Sequence, residues 1–233
     1  MTMFYEPKAS MQSAFRRLFL TASLLASFNA WQSLDAGILV SYSGNSTNET
    51  LSGATATALF EFDFSYPLDD ARRSVSVTIT NTTGASLTQA NLTGLAFDAP
   101  SDFGNIVFDS NTFTTTSELG TLLTGEVNFA PFTAGVNPSF DIAFSDDGDL
   151  EGGNPNSNSL AIGDTVTLSV EFTFDPEFDP VSATPTPSEI EARFLSGLSD
   201  DTLRTAVRFM AIEGGDGTSD KILGSIPTPD VLS

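Results

Sequence analysis

Residues 58–66 read ALFEFDFSY, and this short stretch decides the fold class. Its three Phe residues alternate with Glu61 and Asp63, so apolar and acidic side chains point to opposite faces of an extended chain. Such alternation is typical of a strand with one buried and one solvated face. The stretch therefore predicts an antiparallel sheet whose buried side is rich in Phe.

Similar strand patterns recur along the chain. Residues 75–80 read VSVTIT, and the other predicted strands cover 92–97, 106–108, 140–144, 166–174 and 204–212. Gly and Pro clusters separate these segments, and no ten-residue helical periodicity interrupts them. We therefore predict an all-β protein built as an antiparallel β-sandwich, with jelly-roll and immunoglobulin-like topologies both open.

One short C-terminal helix completes the predicted fold. Thr186 is a suitable N-cap, Pro187 suits the first helical position and Glu189 is placed to close a capping box. The residues expected to face the sheet are Ile190, Phe194, Leu195 and Leu198. We expect a single β-sandwich domain over residues 37–222 and a flexible C-terminal tail over 223–233.

Residues 1–36 have the features of a signal peptide. Lys8, Arg16 and Arg17 precede an apolar run at 18–28, which is too short to span a bilayer. Cleavage after residue 26, 30 or 36 is compatible with the small residues present, and strand-like sequence from Gly37 favours the last. The paired arginines also suit a twin-arginine signal, and an amphipathic first helix is the structural alternative. We expect a secreted protein at the cell surface or outside the cell.

Composition excludes several kinds of chemistry. The 233 residues include no His and no Cys, so an imidazole or thiolate metal site, a Ser-His-Asp triad and a disulfide framework are all excluded. Thirty Asp and Glu against nine Lys and Arg give an acidic protein with a formal net charge of −21. This charge disfavours nucleic acid and anionic lipid as partners. We predict no membrane span in the mature chain.

The segment 204–221 carries a resemblance to a known family. It reads RTAVRFMAIEGGDGTSDK, in which a strand with a VRF core meets a Gly-rich loop and a Ser-Asp-Lys. This ending resembles that of exosortase-sorted, PEP-CTERM-type secreted bacterial proteins. The segments at 78–87 and 152–163 fit the same plan more loosely.

The resemblance implies an envelope or extracellular protein associated with exopolysaccharide or biofilm matrix, without shared catalytic residues. Members of the family end in a Pro-Glu-Pro motif, a transmembrane helix and an arginine cluster. In this sequence IPTP at 226–229 occupies the corresponding place. We therefore expect a relative that lacks the usual C-terminal anchor.

An acidic loop is the main candidate for metal chemistry. Asp146, Asp147, Asp149 and Glu151 surround a glycine, and alternating carboxylates in such a loop can converge on calcium. Asp141 lies nearby on the preceding strand. The spacing does not match a full EF-hand, and a hydrated acidic loop is the ordinary interpretation. Asp216 and Asp220 in the last loop are weaker metal candidates, and for Asp220, which lies beside Lys221, a local ion pair or a loop hydrogen bond is the expected role.

Paired carboxylates could also hydrolyse glycosides. The candidates are Glu61, Glu126, Glu171, Glu177 and Glu191, but no local motif links any two of them. Asn-X-Ser/Thr sequons begin at Asn45, Asn48, Asn81 and Asn91.

We therefore expect a noncatalytic structural or matrix-associated protein that self-associates or contacts polysaccharide, with no cofactor. A calcium-assisted carbohydrate-binding module is the alternative. The sole tryptophan, Trp31, lies in the predicted signal, so the mature chain has no Trp for stacking on a sugar ring.

Overall fold

The computed structural model describes residues 37–44, 52–63, 72–100, 106–129, 139–150, 155, 157–174, 187–200, 202–213 and 219–226. All of them belong to one compact unit that spans residues 35–233. The predicted signal peptide, the N-cap Thr186 and the predicted tail beyond Ile226 lie outside the described residues.

The described part of the chain forms ten strands and one helix. The strands are β1 Ile38–Tyr42, β2 Ala56–Asp63, β3 Arg72–Asn81, β4 Gln89–Phe97, β5 Ile106–Thr115, β6 Thr121–Asn128, β7 Ser139–Ser145, β8 Thr165–Phe174, β9 Thr205–Glu213 and β10 Ser219–Ser225, and the helix is α1 Pro187–Ser199. The strand order is β5-β8-β3-β2-β1-β10-β9-β4-β7-β6, and every neighbouring pair is antiparallel. The prediction of a mostly antiparallel β fold with one short helix is confirmed.

The strand order divides into two groups of five. We call β5-β8-β3-β2-β1 the first half-sheet and β10-β9-β4-β7-β6 the second half-sheet. They are joined where β1 pairs with β10, over Ser41 with Ser225 and Tyr42 with Gly224. Because this pairing is so short, the contacts around it decide whether the two halves stay together.

A buried hydrogen bond supports this junction. The hydroxyl of Tyr42 lies 2.6 Å from Oγ1 of Thr205, which itself donates to the carbonyl of Ala96 at 3.0 Å. Burial raises the pKa of Tyr42 far above its usual range, against the opposing effect of the hydrogen bond with Thr205. Gly224 is needed here, since a Cβ at this position would lie 2.6 Å from both Val40 and Thr205.

Inward side chains of both half-sheets form one core. In β3 the buried apolar residues are Val75, Val77 and Ile79, and the residues between them are half-buried. The ring of Phe60 in β2 lies 5.3 Å from Phe97 in β4, which links the two half-sheets. This period-two burial confirms the alternation predicted from the sequence.

Helix α1 packs on this core through Phe194. Its ring centroid lies 5.2 Å from Phe60 and 5.7 Å from Phe62. Leu198 is partly buried against the core, as predicted, but Leu195 is 43% exposed, so its predicted inward orientation is wrong. Leu195 follows Phe194 directly, and the helical rotation of about 100° per residue turns it away from the contact.

The observed strands differ from the predictions in three places. β5 extends well past the predicted residue 108, and β6 was not predicted at all. The predicted tail start at residue 223 is also wrong, because β10 continues to Ser225 and Leu223 pairs with Ala206. Residues 223–225 therefore belong to the sheet.

The two outer strands of the sheet, β5 and β6, are both irregular. The register with β8 shifts between Asp109 and Thr114, and the register with β7 shifts between Thr124 and Val127. Such bulges hinder the pairing of an edge strand with another chain. Edge-to-edge association of copies is therefore disfavoured.

Candidate functional site

The predicted calcium loop follows β7 and is anchored by backbone and hydroxyl contacts. The amide of Asp146 donates to the carbonyl of Thr93 at 3.0 Å. The hydroxyl of Ser145 donates to the carbonyl of Asp149 at 2.9 Å and accepts from the amide of Asp147 at 3.2 Å. The loop is thereby tied to the end of β7 and to β4.

Leu150 packs this loop onto the second half-sheet. Its side chain is buried and lies directly over Gly94, where an added Cβ would be 2.3 Å from Leu150 Cδ2. Gly94 pairs with Arg208 on β9, so the loop lies on the same outer face as the Arg208 side chain. A glycine in β4 thus leaves room for the loop to approach the sheet.

Arg208 supplies the positive charge for the loop carboxylates. Its side chain is buried, and burial lowers the pKa of Arg208, while the charges of Asp146 and Asp149 act in the opposite direction. Asp146 is buried beside it, whereas Asp147 is exposed and accepts a hydrogen bond from the amide of Gly148 at 2.6 Å. The guanidinium of Arg208 on β9 is therefore a cation already present beside this loop.

The calcium assignment stays a prediction. Within the described residues, no group of three or more acidic side chains is placed to hold a metal ion. Glu151, the fourth predicted ligand, lies outside the described residues. Asp141 does not join the set, because it lies near the opposite end of β7 and accepts from the amide of Ala99 at 2.8 Å.

A second cation, Arg204, is half-buried and directly precedes β9, and strand alternation places it on the same side as Arg208. It donates to both carboxylate oxygens of Asp98, at 2.8 and 3.1 Å, and to the carbonyl of Ser139 at 2.6 Å. Its guanidinium also lies 4.7 Å from the centre of the Phe140 ring. Burial raises the pKa of Asp98, and Arg204 partly offsets this rise.

Lys221 is the third cation on this outer face. It is buried, pairs with Arg208 in register, and donates from Nζ to the carbonyl of Phe129 at 2.6 Å. Asp220 accepts a hydrogen bond from the backbone amide of Lys221 at 2.8 Å, which confirms the predicted local hydrogen bond. Asp216 lies outside the described residues.

The predicted glycosidase carboxylates are not brought together where the structure describes them. Glu61 and Glu171 lie on the outward face of β2 and β8, with β3 between them, so their backbones are roughly 10 Å apart. Glu126 lies exposed in β6 and Glu191 lies in α1. Glu177 is outside the described residues.

Of the asparagines that begin predicted sequons, Asn81 makes hydrogen bonds within the fold. It is fully buried, and its side-chain amide donates to the carbonyls of Ala90 and Leu160 at 2.7 and 3.0 Å. A glycan on Asn81 would require these contacts to break. Asn91 is half-buried, and Asn45 and Asn48 lie outside the described residues.

The outward face of β2, β3 and β8 forms a surface of hydroxyl groups, which sequence reasoning missed. We call it the hydroxyl face, and it consists of Thr57, Ser74, Ser76, Thr78, Thr80, Thr165, Thr167, Ser169 and Thr173. All nine side chains are half-buried or exposed. The alternation of Ser and Thr with apolar residues was visible in the sequence, but it was interpreted only as strand propensity.

Pairs of these hydroxyls face each other across strands. Thr78 and Thr167 pair in register with oxygens 3.1 Å apart, and Thr80 and Thr165 with oxygens 2.8 Å apart. Threonine is stiff at χ1, and these contacts restrict it further. The hydroxyl face is therefore an ordered surface, and the carboxylates of Glu61 and Glu171 lie on the same side of the sheet beside Ser76 and Ser74.

Comparisons with known proteins give no identification: no protein-family model, no curated protein and no solved structure matches this chain. Among the described residues, no helix combines the length and apolar character needed to cross a bilayer.

Proposed function

We propose that this chain is a noncatalytic, exported protein of the cell surface or extracellular matrix, which acts as a structural component through self-association or contact with exopolysaccharide. The proposal combines the predicted signal peptide over residues 1–36, the resemblance of 204–221 to exosortase-sorted proteins, and the surfaces of the fold. Each of these points to a role in contact rather than in chemistry.

One observation carries the proposal: the cations of the second half-sheet make contacts within the fold, while the open face of the first half-sheet is polar, with rows of hydroxyls beside the carboxylates of Glu61 and Glu171. Arg204 is bound to Asp98, Arg208 lies with Asp146 and Asp149, and Lys221 is hydrogen-bonded to a backbone carbonyl. These groups serve stability. The hydroxyl face remains open to solvent, although some of its hydroxyls pair across strands, and this openness favours it for contact with a partner.

Within this proposal the two half-sheets are the layers of a β-sandwich. Support comes from ring contacts between opposite half-sheets, Phe60 with Phe97 at 5.3 Å and Phe113 with Phe144 at 5.5 Å. Inward side chains that interdigitate in this way are typical of two packed sheets.

A calcium-assisted carbohydrate-binding module has less support. Arg208 already offsets part of the charge of Asp146 and Asp149, which reduces the need for calcium to hold these carboxylates together. If the module were nevertheless correct, glycan binding would be lost on addition of a chelator.

The proposal is tested by cell fractionation of the native source, with intact-mass measurement of the recovered protein. We expect the protein in the envelope or matrix fraction, with an N-terminus near Gly37. Recovery from the cytoplasm with residues 1–36 retained would overturn the proposal. A chelator wash of the matrix fraction is the control for calcium-dependent retention.

A further inference from the structure

We propose that the hydroxyl face is a docking surface for a neutral polysaccharide. This inference rests on the proposed function and gives it a specific surface and a partner class. Three properties of the surface support it: the arrangement of its hydroxyls, the negative charge of Glu61 and Glu171 on the same side of the sheet, and the apolar residues at its two borders.

The hydroxyls form a regular two-dimensional array. Thr57, Thr80 and Thr165 make one row across three strands, and Thr78 and Thr167 make part of the next. Strand geometry sets the repeat at about 6.6 Å along each strand and about 4.8 Å between strands. A polymer that presents hydroxyls at regular intervals can engage several of these groups at once.

The chemistry of the array suits sugar hydroxyls. Each Ser or Thr hydroxyl can donate one hydrogen bond and accept others, so it can pair with a sugar hydroxyl in either role. Ordering these short side chains also costs little conformational entropy compared with Lys, Glu or Gln. Weak contacts can therefore add up along a polymer.

The negative charge of the chain favours a neutral polymer over an acidic one as the partner. The chain has a formal net charge of −21, and three of its nine basic residues, Arg73, Arg208 and Lys221, are buried. A polyanion would be repelled, and so would a second copy of this chain at low salt. A neutral polysaccharide carries no such penalty.

Exposed apolar side chains border the face on both sides. Leu39 on β1 is 48% exposed and pairs with Leu59, which in turn pairs with Thr78. Val107 on β5 is 57% exposed and pairs with Thr173. Pyranose rings have apolar C–H faces as well as hydroxyls, so these two residues give the amphipathic sugar an apolar contact on each side of the array.

Binding is tested by cosedimentation of the full-length chain with three insoluble neutral polysaccharides: cellulose, chitin and curdlan. The test variant replaces Thr78, Thr80, Thr165 and Thr167 with Val, which removes four hydroxyls and keeps the side-chain shape. We expect it to weaken binding by about a hundredfold, as when four hydrogen bonds of about threefold each are lost. Binding by the wild type should change little with ionic strength.

The matched control replaces Thr88, Thr121 and Thr124 with Val, since these threonines lie outside the hydroxyl face. It should bind like the wild type, and circular dichroism should show that both variants fold. A second variant, Leu39→Gln with Val107→Gln, should weaken binding several-fold through loss of the apolar borders.

Wild-type binding that the four-Val variant retains would overturn the assignment of this face. Failure of the wild type to bind any of the three polysaccharides, or preference for anionic alginate, would overturn the neutral-polysaccharide partner. Self-association that the four-Val variant abolishes, without glycan binding, would also overturn this inference. None of these results bears on cell location, so the proposed function is tested separately by fractionation.

Discussion

The two half-sheets share one core but differ in what lies on their outer faces. In β3 and β8 every second residue is buried and those between are open to solvent, whereas Leu95, Ala96 and Phe97 in succession are buried in β4. The outer face of the second half-sheet lies under a second apolar cluster that includes Leu150 and Phe129 and is bordered by buried cations. Among the described residues, the first half-sheet therefore offers the more open surface.

The same comparison explains the distribution of charge. This acidic chain has few basic residues. Three of them, Arg204, Arg208 and Lys221, lie on the covered face of the second half-sheet. There they offset carboxylates or bind carbonyls. Five predictions test this comparison: one at the junction of the two half-sheets, three on the covered face and one on the open face.

The largest effect is expected at the junction of the two half-sheets. Gly224→Val should lower the free energy of unfolding by about 3 kcal/mol, because a side chain there collides with Val40, Tyr42 and Thr205 in the core. Urea unfolding measures this change. Gly84→Val is the control, since a Cβ at Gly84 meets no atom within 4 Å and the variant should be nearly neutral.

An effect of similar size is expected at the covered face from Arg204→Met. Loss of the guanidinium leaves the buried carboxyl of Asp98 without its strongest partner, which should cost about 3 kcal/mol at neutral pH. Arg72→Met is the control, because Arg72 is exposed. Similar losses for both variants in urea unfolding would contradict the role assigned to Arg204.

The same variant should change the pH dependence of stability. The pKa of Asp98 is raised in the folded protein above its ordinary value of 3.8, so the folded state binds the proton more tightly than the unfolded state. The stability that Asp98 contributes is therefore fully present below pH 3.8 and is lost as pH rises through its folded pKa. Without Arg204 the folded pKa of Asp98 rises further. The difference in the free energy of unfolding between Arg204→Met and wild type should therefore be larger at pH 8 than at pH 5. Adding Asp98→Asn should remove this pH dependence.

Arg208→Met should have a moderate effect and should also reveal what the acidic loop needs. Loss of the guanidinium leaves Asp146 and Asp149 without their nearby cation, at a cost of about 2 kcal/mol, since Asp149 is exposed and partly screened. Calcium should restore part of this stability in the variant and change the wild type little. A calcium-dependent rise in the thermal midpoint of the wild type would instead favour the carbohydrate-binding alternative.

The difference between the half-sheets also explains which strands could be predicted. β2, β3 and β8 alternate cleanly because one face is solvated, so the sequence alone predicts them. β6 was missed because Gly125 and Glu126 interrupt its apolar pattern at the bulge. β10 was missed because Asp220 and Lys221 suggest an exposed loop, and their burial depends on contacts with residues distant in sequence.

The candidate site shows the same limit. The acidic loop at 146–149 was found from composition, but Arg208 follows it only after two further elements, β8 and α1, and no local pattern links the two. The pairing of Gly94 with Arg208 brings them together, and it depends on strand order. The hydroxyl face was likewise hidden, because the registers of β2, β3 and β8 are needed to align their hydroxyls.

The smallest effect is expected on the open face, from Thr78→Val with Thr167→Val. These hydroxyls lie 3.1 Å apart on the solvent side of β3 and β8, and Val keeps the β-branched shape, so stability should change by no more than about 0.5 kcal/mol. Thr205→Val, which removes a buried hydroxyl bonded to Tyr42 and Ala96, is the contrasting variant and should cost more. A large loss for the open pair would mean that the hydroxyl face serves the stability of the fold, which would weaken its assignment as a surface kept for a partner.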